Sequence, residues 1–123
     1  MVNLGRTISG GRYHARRKSK KYELAGTPRV VKLRPRKMKV LKGLGGNKKN
    51  VLLSENTANV MVKGKGKKSK ILNVTETKAN RFWARQNILV KGAIIETELG
   101  KARITNRPSQ EGVVNAILLD ETK

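Results

Sequence analysis

From Arg29 onward, short apolar runs with partial alternation of apolar and polar positions recur along the chain. Alternation with a period of two, in stretches rich in β-branched residues, predicts strands, because successive side chains of a strand point to opposite faces. One segment, Ala79–Gln86, is predicted to be a helix of at most about two turns. Leu99-Gly100 is predicted to be the turn of a tight hairpin. The predicted strands are Arg29–Arg34, Lys37–Lys42, Lys48–Ser54, Asn59–Lys63, Lys70–Thr77, Asn87–Val90, Ala93–Glu98, Lys101–Asn106 and Gly112–Leu119.

Strands at intervals of about ten residues indicate an all-β sandwich or barrel. A small closed β-barrel is favoured, because few aromatic residues are available to fill a sandwich and closure hides the sheet edges. We therefore predict an all-β fold with one short helical turn. The alternating pairs expected to point inward are Val31 with Leu33, Met38 with Val40, Leu72 with Val74, and Ala102 with Ile104.

The first 28 residues have no such periodicity and are interrupted by several glycines and by Pro28. Between Gly10 and Gly26, six lysine and arginine residues and His14 stand against one acid, Glu23. So few apolar side chains cannot offset the roughly 1–2 kcal/mol per residue that ordering a backbone costs. The sequence predicts two parts: a basic N-terminal arm, residues 1–28, that becomes ordered on a partner, and a barrel domain, residues 29–123.

The charge indicates what kind of partner this is. The chain has 29 Lys and Arg against 8 Asp and Glu, a net charge of +21, and 25 of the basic residues lie in positions 1–92 with only 3 acids. Such an excess suits a dense anionic partner: nucleic acid, an anionic membrane or an acidic protein. The residues predicted to contact this partner, taken as a nucleic acid, are Arg6, Arg12, Tyr13, His14, Arg16, Arg17, Lys18, Lys20, Lys21, Tyr22, Arg34, Arg36, Lys37, Lys42, Lys48, Lys49, Lys63, Lys65, Lys67, Lys68, Arg81, Arg85, Lys91 and Arg107.

Two glycine-rich stretches contain many of these lysines. Gly64–Ser69 resembles a phosphate-binding loop but lacks the glycine spacing of that motif, and a strand pattern follows it where a helix should. We interpret it as a hairpin loop whose lysines touch phosphates, and Leu41–Asn50 as a second loop of this kind; an ordinary solvated loop is the alternative.

The four aromatic residues have alternative interpretations. Tyr13 and Tyr22 interleave with basic residues, which suits stacking on bases, although Tyr22 could instead fold back and anchor the arm on the barrel. Because adjacent residues do not both point inward, either Phe82 or Trp83 covers the barrel and the other is exposed beside Arg81 and Arg85.

Composition argues against catalysis and metal binding. No cysteine is present, so disulfides and thiolate sites are excluded and a reducing compartment is expected. His14 has no nearby acid to orient it, and Glu96 and Glu98 are interpreted as a solvated strand face. Residues 1–12 lack an apolar stretch typical of a signal peptide, and no segment approaches the ~20 apolar residues of a membrane span. We predict a cytoplasmic protein that is not an enzyme and has no cofactor.

Four blocks carry a family resemblance: GGRYHARRKSKKYELAGTP, GGNKKNVLL, NILVKGAIIETELGKARITNRP and QEGVVNAILL. Together they resemble the small-subunit ribosomal protein family of archaea and eukaryotes that is numbered eight with an "e" suffix, in its compact archaeal form. The resemblance implies a β-barrel with basic extensions that binds small-subunit ribosomal RNA, with neighbouring ribosomal proteins as further partners. A chromatin-type DNA-binding protein is the alternative, and it requires a groove-reading helix or a symmetric dimer. An anionic-membrane binder requires an amphipathic helix.

Overall fold

The computed structural model describes residues 5–13 and 17–119. The protein is built mainly of strands, with two short α-helices and two 3₁₀ turns in the described part. The strands are β1 (Lys32–Leu33), β2 (Lys37–Lys42), β3 (Lys48–Glu55), β4 (Thr57–Val62), β5 (Lys65–Glu76), β6 (Ile94–Thr97), β7 (Gly100–Ile104) and β8 (Asn115–Leu118), and the helices are α1 (Arg81–Arg85) and α2 (Pro108–Glu111).

Five of the strands close a barrel in the order β4-β5-β6-β7-β8. Neighbouring strands are antiparallel except at the closing seam, where β8 pairs with β4 in parallel. At that seam, Asn59 Nδ2 donates to Asn115 Oδ1 at 3.1 Å. The interior is filled by small and β-branched side chains, which suits a barrel of so few strands. These include Ala58, Val60, Ile71, Val74, Ile95, Ala102, Ile104 and Ala116.

The other three strands form a separate sheet in the order β1-β3-β2, so the predicted barrel is confirmed but does not contain every strand. Val51 and Leu52 of β3 are adjacent and so point to opposite faces, yet they are only 4% and 0% exposed. β3 is therefore covered on both faces, as expected for the central strand. β2 is an edge strand, and Met38 and Val40 are exposed rather than inward as predicted.

The prediction that Leu72 points inward with Val74 is wrong because β5 is irregular. Its register against β6 shifts between Ile71 and Asn73 and again between Val74 and Glu76. Each shift sets an extra residue of β5 against β6 and changes which face the following side chain occupies. As a result Ile71 and Val74 are buried and Leu72 is exposed.

Several element boundaries differ from prediction. Asn87–Val90 is not a strand: Ile88 forms only an isolated bridge to Lys32, because Asn87 takes a left-handed φ of 52° just after α1. The β6–β7 turn is Glu98-Leu99, one residue earlier than expected, with Thr97 Oγ1 donating to the Gly100 carbonyl at 2.8 Å. Helix α1 confirms the predicted helix, whereas α2 was not predicted. No helix in the described ranges is long and apolar enough to span a membrane.

Candidate nucleic-acid interface

The β4–β5 hairpin places the predicted loop lysines on a strand. Lys63 and Gly64 form a two-residue turn with positive φ at both positions, 47° and 79°, the conformation that matches the twist of paired strands. β5 therefore begins at Lys65, and the prediction of a glycine-rich loop over Gly64–Ser69 is wrong. The tight turn lets pairing start immediately, with Val62 opposite Lys65.

The lysines of β5 are divided between its two faces. Lys65 and Lys67 lie opposite Val62 and Val60, on the face that continues into the barrel interior, whereas Lys68 lies opposite Asn59 on the outer face. All three are exposed, as is Lys70, which sequence reasoning missed. β6 pairs with β5 only from Ile71 onward, so the first part of β5 presents positive charge along an edge that no described strand pairs with, while β4 is paired with β8.

The β2–β3 hairpin is a second basic projection. Its tip is a 3₁₀ turn, Leu44–Gly46, closed by a hydrogen bond from Gly43 N to the Asn47 carbonyl at 2.6 Å. The cross-strand pairs next to the tip are Lys42 with Lys48 and Leu41 with Lys49. The predicted contacts Lys42, Lys48 and Lys49 are thus brought together at the tip, whereas Lys37 lies opposite Ser54 at the far end of β2. Lys39, also exposed and not predicted, lies between them on β2.

Arg36 lies just before this hairpin and contacts a buried acid. Its Nη1 is 3.5 Å from Glu55 Oε2, and the Glu55 side chain is 3% exposed while that of Arg36 is 51% exposed. Glu55 Oε1 also accepts from Asn56 N, Thr57 N and Thr57 Oγ1 at 3.1–3.4 Å. Glu55, at the end of β3, is therefore already held by partners inside the protein.

The described part of the arm has local order but no burial. Arg6 and Arg12 form a β-bridge, with Thr7 N donating to the Gly11 carbonyl at 2.8 Å. Every residue of the ranges 5–13 and 17–30 is exposed except Thr7, which is half-buried. Tyr22 is 77% exposed, so it does not anchor the arm on the barrel. His14 and Arg16 lie outside the described residues.

The one acid of the arm, Glu23, forms a bidentate ion pair with Arg17. Arg17 donates to both carboxylate oxygens of Glu23, at 2.6 and 2.9 Å, and Lys20 N donates to Glu23 Oε2 at 2.9 Å. The hydrogen bond from Arg17, and after it that from Lys20, lowers the pKa of Glu23, and the same contact raises the pKa of Arg17. The neighbouring Lys18, Lys20 and Lys21 side chains remain exposed.

The remaining predicted contacts lie on separate elements. Arg81 and Arg85 are exposed on α1 beside the exposed Phe82, while Trp83 is half-buried, so Phe82 is the exposed member of the aromatic pair. Lys91 and Arg107 lie near Glu111. The side-chain hydrogen bond from Asn106 and the backbone hydrogen bond from Arg107 lower the pKa of Glu111, and the positive charges of Lys91 and Arg107 lower it further. Arg34, between β1 and β2, is exposed.

The exposed basic side chains are almost all without acidic partners. In the ranges 5–13 and 17–119, Arg17 and Arg36 are held by carboxylates and Lys101 has an interaction of its own. In the same ranges no three histidine, cysteine or acidic side chains come together as a metal site would require. The exposed surface of the described residues is therefore strongly basic.

Comparison with known proteins identifies the family. The sequence model of the family described as Ribosomal protein S8e matches residues 3–119. The chain belongs to this family. Similar curated proteins are each called "Small ribosomal subunit protein eS8": that of Methanocorpusculum labreanum is 44% identical over 117 residues, 94% of both chains. That of Sulfurisphaera tokodaii is 44% identical over 119 residues, 94% of this chain and 93% of its own.

The relative from Nanoarchaeum equitans is 46% identical over 112 residues, 89% of this chain and 88% of its own. These matches are to archaeal proteins of similar length, in agreement with the compact archaeal form that the sequence blocks imply. Ribosomal protein S8e is a family of structural ribosomal proteins and not of enzymes.

Proposed function

We propose that this protein binds and stabilises small-subunit ribosomal RNA by neutralising phosphates where RNA strands come close together. The observation that carries the proposal is the pair of basic hairpins, whose lysines are exposed while Glu55, at the end of β3, is held by Arg36. Phosphate contacts of this kind fix position and supply affinity without reading sequence.

The arm and the hairpins have different roles in this proposal. The arm of residues 1–28 buries almost nothing in its described part, so it is free to follow an RNA groove, and 28 extended residues reach roughly 90–100 Å. The hairpins project from a folded body and meet RNA at fixed positions. Neighbouring ribosomal proteins and a location in the cytoplasmic ribosome belong to the same proposal.

The alternative of a chromatin-type DNA-binding protein is weakened by the helices. α1 has five residues and α2 has four, so neither provides a helix long enough to read a major groove.

The test is the salt dependence of RNA affinity. Fluorescence anisotropy with small-subunit ribosomal RNA fragments should give a log K that falls with log salt by roughly 0.7–0.9 per phosphate contact, and we expect the slope of at least about five contacts. Duplex DNA of equal length is the control for the DNA-binding alternative. A slope equivalent to one or two contacts, or equal affinity for duplex DNA, would contradict the proposal.

Two variants separate the contributions of the arm and of the β4–β5 hairpin to RNA affinity. Deleting residues 1–28 should weaken RNA binding more than replacing Lys65, Lys67 and Lys68 by glutamine, because the arm carries more basic residues and follows a longer stretch of RNA. Both variants should unfold cooperatively near the temperature of the intact protein. If the arm deletion binds RNA as tightly as the intact chain, the arm does not bind RNA.

A further inference from the structure

A cleft of about 350 Å³ lies between α1 and the second half of β5, beyond the hairpin lysines at the start of that strand. The cleft is open, since Asn73, Thr75 and Arg85 are exposed and only Val74 is buried, so it suits a small flat ligand that stays partly in solvent. Its lining residues are Asn73, Val74, Thr75, Ala84, Arg85 and Asn87, of which only Arg85 belongs to the predicted RNA contacts.

The two asparagines in the cleft are oriented by one backbone group. Val74 N donates to Asn73 Oδ1 at 2.9 Å and also to Asn87 Oδ1 at 3.3 Å. Because each amide oxygen is committed to this N–H, each Nδ2 group is left as a donor. No group within residues 5–13 and 17–119 accepts a hydrogen bond from either Nδ2.

Irregular backbone brings the two amides together. Asn73 lies at the first register shift of β5, and Asn87 has a left-handed φ of 52° just after α1. Asparagine tolerates that conformation, so the φ value alone requires no function. Nevertheless, the bulge at Asn73 and the left-handed Asn87 bring both amide oxygens to the same N–H group, that of Val74. Bulges are common beside binding sites, where they redirect a side chain.

The lining determines the chemistry of a ligand. Two amide NH₂ groups, the Thr75 hydroxyl and the Arg85 guanidinium offer mainly donors, and no carboxylate lines the cleft. The ligand must therefore present acceptors. Glu96 lies directly opposite Asn73 in the β5–β6 register. Its negative charge disfavours a bare phosphate and favours an uncharged group that presents hydrogen-bond acceptors.

We propose that this cleft binds the base of one unpaired RNA nucleotide and prefers guanine to adenine. Guanine presents two adjacent acceptors, O6 and N7, whereas adenine presents an acceptor beside an amino donor. Arg85 contacts the phosphate of the same nucleotide. The inference rests on the proposed function, because RNA supplies the nucleotide.

The test uses the full-length, ¹⁵N-labelled protein and follows the side-chain NH₂ signals of Asn73 and Asn87 by NMR. Titration with GMP should shift both signals to saturation, AMP should bind several-fold more weakly, and inorganic phosphate should leave both signals unmoved. Equal effects of GMP and AMP, shifts produced by phosphate alone, or no shift with GMP would each overturn the proposal.

A matched pair of variants tests the amide donors. Asn87→Asp keeps an oxygen acceptor for Val74 N but removes the NH₂ donor, and it should weaken GMP binding by roughly tenfold. Gln86→Glu makes the same change of charge at an exposed neighbour that does not line the cleft, and it should bind GMP nearly as the native protein does. Equal weakening in both variants would show a general charge effect and overturn the proposal.

Asn87→Gly removes the amide and accepts a φ of 52°, so it provides the same test if Asn87→Asp does not fold. Native GMP affinity in a folded Asn87→Gly protein would also overturn the proposal. Loss of GMP binding with unchanged, salt-dependent RNA binding would show that the cleft and the basic surface act separately. If GMP binds but ribosomal RNA does not, the proposed function fails while the cleft remains a nucleotide site.

Discussion

The two partners of the Arg36–Glu55 ion pair are buried to different extents, so truncating each one in turn should reduce the stability of the protein by different amounts. Glu55 is buried and accepts three further hydrogen bonds, at 3.2 Å from Asn56 N, 3.4 Å from Thr57 N and 3.1 Å from Thr57 Oγ1. Arg36 is half exposed. Replacing the acid leaves three donors without their partner, whereas replacing the base leaves a carboxylate that keeps those donors.

The magnitude follows from these contacts. Hydrogen bonds to a charged group contribute about 1.5–3 kcal/mol each, and the long distances here favour values at or below the lower end. Glu55→Ala should therefore destabilise the protein by about 3 kcal/mol. Arg36→Gln should cost about 1 kcal/mol, because Lys68 lines a small pocket together with Arg36 and Glu55 and supplies another positive charge there. Glu98→Ala, at an exposed turn, should cost at most ~0.5 kcal/mol.

Thermal unfolding followed by circular dichroism measures these differences. At roughly 4–8 °C per kcal/mol for a domain of this size, Glu55→Ala should lower Tm by roughly 12–24 °C and Arg36→Gln by no more than ~8 °C. Equal losses for the two variants would refute the reasoning, since the argument depends on their different burial. So would a Glu55→Ala protein no less stable than the Glu98→Ala control.

Three further predictions follow from particular residues. Gly112→Ala should destabilise the protein by more than Gly92→Ala, as measured by thermal unfolding. Both glycines have positive φ (76° and 81°), but only a Cβ at position 112 would meet Asn50 Cβ, at 3.1 Å. Equal losses of stability would rule out the steric contribution. The pKa of Glu23 should be below that of an ordinary glutamate and return toward it in Arg17→Gln, as measured by an NMR pH titration. Because the folded pKa is the lower one, the stabilisation of the 20–23 turn is present above the unfolded pKa and is lost as pH falls through the folded pKa. Backbone amides of residues 17–21 should exchange rapidly with solvent in the free protein and become protected on RNA; strong protection without RNA would mean that the arm folds alone.

Much of the fold could be predicted from local pattern. The tightly alternating strands, such as Ala102–Ile104, were predicted correctly because one face of the barrel wall is solvated and the other is buried. The alternation fails at Leu72 because two bulges shift the register of β5, and a bulge leaves no local signal. It also fails at Met38 and Val40, since the edge position of β2 depends on the pairing of distant strands.

The site was predictable to a similar extent. Clustered lysines predicted the basic hairpins because charge density is a local property of the sequence. The ion pair of Glu55 with Arg36 and the shared N–H of Val74 were not predictable, because each joins segments brought together only by the tertiary fold. Asn73 and Asn87 are 14 positions apart in the chain and carry no motif.

The parallel seam between β4 and β8 sets the order in which this protein can fold as it is synthesised. Asn59 and its partner Asn115 are 56 positions apart, so β4 leaves the ribosome that makes it long before the strand that completes its pairing. Until residue 115 has been added, β4 and β7 each keep an unpaired edge and the barrel stays open. The arm and the β2–β3 hairpin have by then been synthesised, and the barrel closes only after β8 has been added.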